Sequence, residues 1–308
     1  MAVVPGAMAR ANSPVPVSSS PLMRSRSDFV RIRGLRYHVR RWGAEDAPMI
    51  FLGHGWMDVS ETFDPVAQAL TPKFQVLVPD WRGFGYTEWP QEGYWFPDYV
   101  ADLDGIVDHY SPDRPVFLAG HSMGAQIASL FAGLRPKRVA RLALLDGLFM
   151  PDMDVNVAPE RYAKWLDGTK NVGKRPPTYD TFDYLASRVR NRHPHLSTEQ
   201  SLFIARCWAR ENAKGKVELL CDPKHLVDGP RPYRQLEADL VWAQVTAPTL
   251  FIDGALSPFP KLLGPAEVQR RRALFRTRSE TAISDARHML HFDAPQALAS
   301  VLDSFFSA

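Results

Sequence analysis

Cysteine is scarce in this chain: 308 residues hold two, Cys207 and Cys221. They form no C-x-x-C pair and supply no disulfide framework. Two thiols, taken as reduced, suit a reducing compartment, and the cytoplasm is the expected location. Long apolar runs are missing as well, none approaching the ~18 residues that span a bilayer. Nor is there an excess of one charge. Lys and Arg number 37 against 34 Asp and Glu, and the net +3 is too small to draw in nucleic acid or an anionic membrane. No segment repeats at a fixed period, which removes a solenoid. What remains, 45% hydrophobic and 23% charged residues, is the composition of one large folded domain, or of a domain with an insertion.

Residues 1–27 are rich in Ser, Pro and Ala, with three arginines and no acid. Lacking the apolar core of a secretory signal, they read as a disordered extension. The alternatives are an organelle transit peptide, or a start codon placed too far upstream, with Met8 and Met23 as later starts. The run Arg270-Arg271-Arg272 reads as the solvated face of a helix. His193 and His195 flank Pro194 and, without a third ligand, read as exposed loop residues rather than a metal site.

From residue 29 on, strand and helix signals alternate. Apolar and polar residues alternate over 29–32 and 35–42 about Gly34, a hairpin pattern. Buried strands are predicted at 48–52 and 74–79, with a helix at 59–70 between them. A helix at 99–109, strands at 116–119 and 141–145, and a helix from 125 continue the pattern. This implies crossover units and a mostly parallel, doubly wound sheet covered on both faces, an α/β fold. Between 147 and 239 the rhythm breaks into amphipathic segments at 160–166, 181–190 and 198–211, with no clear buried strand. Strands return at 248–252 and 280–283, with helices at 266–275 and 295–306. The expected organisation is a core of residues 28–146 and 240–308, interrupted by a helical cap, 147–239.

Gly120-His121-Ser122-Met123-Gly124 lies between the predicted strand Val116-Phe117-Leu118-Ala119 and the helix from 125. That is G-x-S-x-G in its strand–turn–helix context. Small flanking residues let the chain turn sharply enough to expose the Ser122 hydroxyl. The free N–H groups of the following helix face any negative charge that develops there. Asp146 follows the next strand, and Ala286-Arg287-His288-Met289-Leu290-His291-Phe292-Asp293-Ala294-Pro295 follows the last. Each candidate stands at the C-terminal end of a strand, where open parallel sheets place their sites. A serine hydroxyl needs an imidazole to remove its proton, and the imidazole needs a carboxylate to fix its tautomer.

With His54-Gly55-Trp56, Asp80-Trp81-Arg82-Gly83-Phe84-Gly85, the serine motif and His288…Asp293…Pro295, the chain from about 29 onward resembles the α/β-hydrolases of the esterase/lipase–epoxide hydrolase group. His54-Gly55-Trp56-Met57-Asp58, Leu144-Leu145-Asp146 and Leu196-Ser197-Thr198-Glu199 are similar to its serine hydrolase-like subgroup. The resemblance implies the α/β-hydrolase fold with a helical cap inserted between core strands, with Ser122 as nucleophile and His288 as base, His291 being the competitor. It implies an oxyanion hole from the backbone N–H groups of Trp56 and Met123, and a D-x-R-G-x-G loop that is mostly structural. In most relatives the acid follows the strand at 249–252; here that slot holds Ser257. Asp146 is therefore preferred as the acid, with Asp253 the runner-up. His54, Trp56, Phe149 and Trp165 are candidate substrate-binding residues, and Tyr184, Phe203 and Trp208 further candidate cavity walls. Because Ser122 stands where epoxide hydrolases carry aspartate, the implied reaction is hydrolysis of carboxylic esters, or related acyl compounds such as lactones, through an acyl-serine. The alternatives are a carbon–carbon bond hydrolase on the same triad, or a weakly catalytic or non-catalytic ligand receptor. A small-molecule ester is the expected partner, with no cofactor or metal.

Overall fold

The computed structural model describes residues 25–173 and 176–308, so the extension predicted at 1–27 lies almost wholly outside the described residues. Strands β1 (Arg26–Ile32) and β2 (Leu35–Trp42) form an antiparallel hairpin. The positive φ of Arg33 and Gly34 closes it. β1 starts two residues before the expected core boundary. The chain continues through β3 (Met49–Gly53), α1 (Asp64–Leu70), β4 (Gln75–Pro79), α2 (Phe96–Tyr110), β5 (Val116–His121), α3 (Met123–Leu134) and β6 (Val139–Leu145). Next come α4 (Ala158–Asn171), β7 (Thr178–Tyr179), α5 (Phe182–Arg192), α6 (Thr198–Trp208), β8 (Ala209–Glu211), β9 (Val217–Leu219) and α7 (Gln235–Trp242). It ends with β10 (Thr249–Gly254), α8 (Phe259–Leu263), α9 (Pro265–Arg272), β11 (Arg278–Ile283), α10 (Leu290–Asp293) and α11 (Pro295–Ser307).

Eight strands make one sheet in the order β1-β2-β4-β3-β5-β6-β10-β11. Six of them, from β4 to β11, run parallel. The inner strands β3, β4, β5, β6 and β10 are buried on both faces, and they alternate their apolar residues between two cores. Ile50, Leu52, Val76, Val78, Ala143 and Leu145 pack with α1 and α11. Phe51, Leu77, Leu118, Leu142, Leu144 and Phe251 pack with α2, α3 and α7. This explains the unbroken apolar runs in the sequence, since a parallel strand covered on both faces has no polar side to show. Strand order reverses about β3 and β5, so the loops leaving the carboxyl ends of β3, β5, β6, β10 and β11 open onto one crevice.

Between β6 and β10 the chain carries α4 to α7. The segment predicted as helix through 211 instead stops at Trp208 and continues as β8. With β7 and β9 it forms a three-stranded antiparallel sheet, order β7-β9-β8. Strands of two or three residues carry too little alternation to be read from sequence. A capping box, Ser197 with Gln200, starts α6.

The Asp80-Trp81-Arg82-Gly83-Phe84-Gly85 loop ties the core together. Asp80 accepts from the Ser60 and Tyr86 amides (2.6 and 2.9 Å) and from His38 Nδ1 (2.7 Å). Arg82 forks onto the buried carboxylate of Asp102 at 2.6 and 2.7 Å. Gly85 has φ +56°, and a β-carbon there would run into the Asp80 carboxylate. Burial pushes the Asp80 carboxyl up, but the hydrogen bond and charge of His38 outweigh it and hold it at about 2, from an ordinary 3.8. A depressed native carboxyl adds stability that is present above its unfolded pKa and lost as pH falls through the folded value. Between about pH 5 and pH 2 the wild type is therefore expected to lose roughly 2 kcal/mol more than Asp80→Asn. Urea titrations at both pH values read this directly; parallel losses would contradict it.

Candidate active site

The turn after β5 holds Ser122 at φ 53°, ψ −113°, a strained left-handed conformation for a residue with a side chain. Glycines on both sides allow it. A β-carbon at Gly120 would meet the backbone of Gly124, and one at Gly124 the carbonyl of Gly53. Met123 opens α3, so its N–H has no partner within the helix. The His54-Gly55-Trp56 turn lies against the serine, a β-carbon at Gly55 falling 3.3 Å from Ser122 Cβ.

Three groups from three strand ends converge here. Ser122 Oγ is 3.0 Å from His288 Nε2, and His288 Nδ1 is 2.6 Å from Asp146 Oδ2. The geometry is that of a hydroxyl donating to an imidazole whose second nitrogen donates to a carboxylate. Such a relay can take the serine proton and stabilise the imidazolium that results. Asp146 itself is fully buried at φ 42°. It also accepts from the Gly254 amide at 3.1 Å and from the Ser257 hydroxyl at 2.6 Å. The serine in the expected acid slot thus binds the carboxylate that stands on the neighbouring strand end.

The runner-up, Asp253, is occupied elsewhere. Both of its carboxylate oxygens accept from Arg272 Nη2, at 2.8 and 2.6 Å, and burial raises its carboxyl despite that arginine. Of the arginine run, only Arg270 stands on a solvated face. Arg271 and Arg272 are 2% and 6% exposed. Arg271 Nη1 donates to the carbonyls of Leu148 and Met150, both at 2.8 Å, and so pins the loop that follows Asp146.

His291, the competing base, is turned into the core. It stacks on Phe63 and its Nε2 is 3.0 Å from Asp58 Oδ2. Asp58 accepts from Trp208 Nε1 as well (2.9 Å). Burial opposes ionisation of Asp58, yet the His291 hydrogen bond lowers its pKa. Asp58, His121 and His291 are the one trio of potential metal donors grouped among the described residues. Within the trio His291 bonds Asp58, and His121 Nε2 meets the His288 carbonyl at 2.7 Å, while Nδ1 of each histidine is buried without a partner among the described residues. Burial, and then His288, drive the His121 pKa well below its usual value. His193 and His195 join no such group among the described residues; His195 Nε2 pairs with Asp293 at 2.6 Å.

Above Ser122 opens a cavity of about 1090 Å³, just above the ~300–1,000 Å³ usual for small-molecule sites. Trp56, Met123, Phe149, Ser122, Asp146 and His288 line it. His54 and Trp165, expected as substrate contacts, do not. His54 is wholly buried. Its Nδ1 is satisfied by the Gly55 carbonyl (2.7 Å) and its Nε2 by the Trp81 amide (2.9 Å), which fixes the turn that carries Trp56. Burial depresses its pKa. Trp165 is half-buried on α4. Tyr184 is exposed, Phe203 packs with Val189, Leu196, Ile204 and Phe292, and Trp208 reaches Asp58. The aromatic walls come instead from Tyr94, Trp95, Phe96, Tyr233 and Phe259. The first three are consecutive where the chain enters α2, a cluster that was open to reading in the sequence.

Residues 48–295 match the family described as alpha/beta hydrolase fold, and the chain belongs to that family. It is similar to a serine hydrolase-like protein of Danio rerio, 26% identical over 86% of this chain and 83% of that protein. Epoxide hydrolase 4 of Mus musculus is also 26% identical, over 96% of this chain and 83% of its own length. Among solved structures, a thioesterase domain from the curacin biosynthetic pathway superposes with a TM-score of 0.80 at 25% identity, covering 91% of this chain and 99% of that one. No helix among the described residues is long and apolar enough to cross a membrane.

Proposed function

We propose that the protein is a serine hydrolase of carboxylic esters and related acyl compounds. The observation that carries this reading is the Ser122–His288–Asp146 relay, at 3.0 and 2.6 Å, on the floor of the large cavity. His288 Nε2 takes the proton as Ser122 Oγ attacks the acyl carbon. The resulting oxyanion is met by the N–H groups of Met123 and Trp56, both lining the cavity. His288 then protonates the leaving alcohol, and the same imidazole activates water to release the acid. Epoxide opening needs a carboxylate at the elbow, and Ser122 stands there, so the likeness to an epoxide hydrolase supports the fold and not that chemistry. Residues 147–239 are assigned as a cap; within them Phe149, Met153 and Tyr233 wall the cavity and shape the choice of substrate.

A panel of p-nitrophenyl esters of increasing chain length, run beside lactones and a carbon–carbon hydrolase substrate, tests the assignment. Turnover of esters without added metal is the expected result. Turnover confined to the carbon–carbon substrate would replace the assignment.

A further inference from the structure

One wall of the cavity is basic. The loop 229–234 reads Gly-Pro-Arg-Pro-Tyr-Arg, and all of its residues line the cavity. Pro230 and Pro232 fix their own φ near −65° and restrict the residues before them, so Arg231 stands on a stiffened backbone. The loop is also tied down. The Tyr233 carbonyl accepts from the Met153 amide at 3.0 Å, and the Gln235 amide donates to Asp152 at 2.8 Å. A third arginine reaches it from α4, Arg161 Nη2 donating to the Gly229 carbonyl at 2.8 Å. Arg161 lines the same cavity.

Four arginines line this cavity, and Arg135 is neutralised there by Asp104 at 3.1 Å. Arg161, Arg231 and Arg234 have no carboxylate within the 4.0 Å ion-pair distance among the described residues. Glu237, on the same wall, leaves three cations against one acid. Unpaired guanidinium groups beside an apolar chamber suit a ligand with an apolar chain and one anionic end, because the planar fork of donors matches carboxylate or phosphate.

We propose that the substrate is an acyl ester or thioester that carries an anionic group, carboxylate or phosphate, away from the scissile bond, held by Arg231, Arg234 and Arg161. The proposal rests on the ester-hydrolase reading and narrows it to anionic esters. Binding tests it without turnover. In Ser122→Ala, tryptophan fluorescence (Trp56 and Trp95 line the cavity) is titrated with octanoate, octyl phosphate and octanol. The anions are expected to bind about tenfold more tightly than octanol, since each exposed charge pair contributes a factor of several. Raising salt from about 0.05 to 0.5 M should shrink that advantage. Arg231→Gln/Arg234→Gln should remove it while leaving octanol binding in place. Octyl phosphate binding ahead of octanoate would name phosphate as the group, and the reverse order carboxylate. Equal binding of all three, or equal weakening of all three in the double variant, would overturn the proposal. Absence of ester turnover in the parent protein would instead count against the hydrolase reading and leave these affinities standing.

Discussion

Ser122→Ala is expected to lower kcat on the best ester by on the order of 10⁶-fold, the loss seen when a triad nucleophile is removed. Folding should be little affected. The strained turn is held by glycine packing on either side and by the Ser122 amide's hydrogen bond to the Leu145 carbonyl at 3.0 Å, none of which uses the hydroxyl. Loss of activity with an unchanged urea midpoint is the predicted pair of results. A variant that keeps more than a few per cent of wild-type turnover would remove Ser122 from the chemistry.

Asp146→Asn is expected to cost on the order of 10⁴-fold in kcat, because an amide can present an N–H to the imidazole and favour the wrong tautomer. The shape of the site should survive, with the Gly254 amide still donating to the side-chain oxygen and the Ser257 hydroxyl able to accept from the new N–H. Asp253→Asn makes the contrast. Its carboxylate serves Arg272, which keeps Glu280 at 2.6 Å, so kcat should stay within a few-fold of wild type while stability falls modestly. If the two variants exchange these effects, the acid belongs after β10.

The parallel sheet was legible because its strands bury both faces and therefore read as short apolar runs. The positions of Ser122, Asp146 and His288 at strand ends followed from the same rhythm. What sequence could not carry was the direction of individual side chains. His54 belongs to a motif beside the site, yet its ring turns inward to bind Trp81. Charge alone made Arg271 and Arg272 look solvated, whereas long-range partners, the Leu148 carbonyl and Asp253, bury them. The aromatics of 147–239 are spread over surface and packing positions, and only Phe149 of those singled out lines the cavity. The role of Ser257 was invisible for a related reason. In sequence it stood only as a missing acid, and its 2.6 Å contact with Asp146 gives it a purpose.

The central claim, that Ser122 is a nucleophile activated by His288, is tested most directly by intact-mass and peptide mass spectrometry after exposure to a fluorophosphonate. The account predicts one phosphonyl adduct per chain, on the peptide that contains Ser122, forming slowly or not at all in His288→Ala and absent from Ser122→Ala. A folded wild-type protein that takes up no adduct, or takes it up on another residue, would contradict it and favour a receptor built on a hydrolase fold.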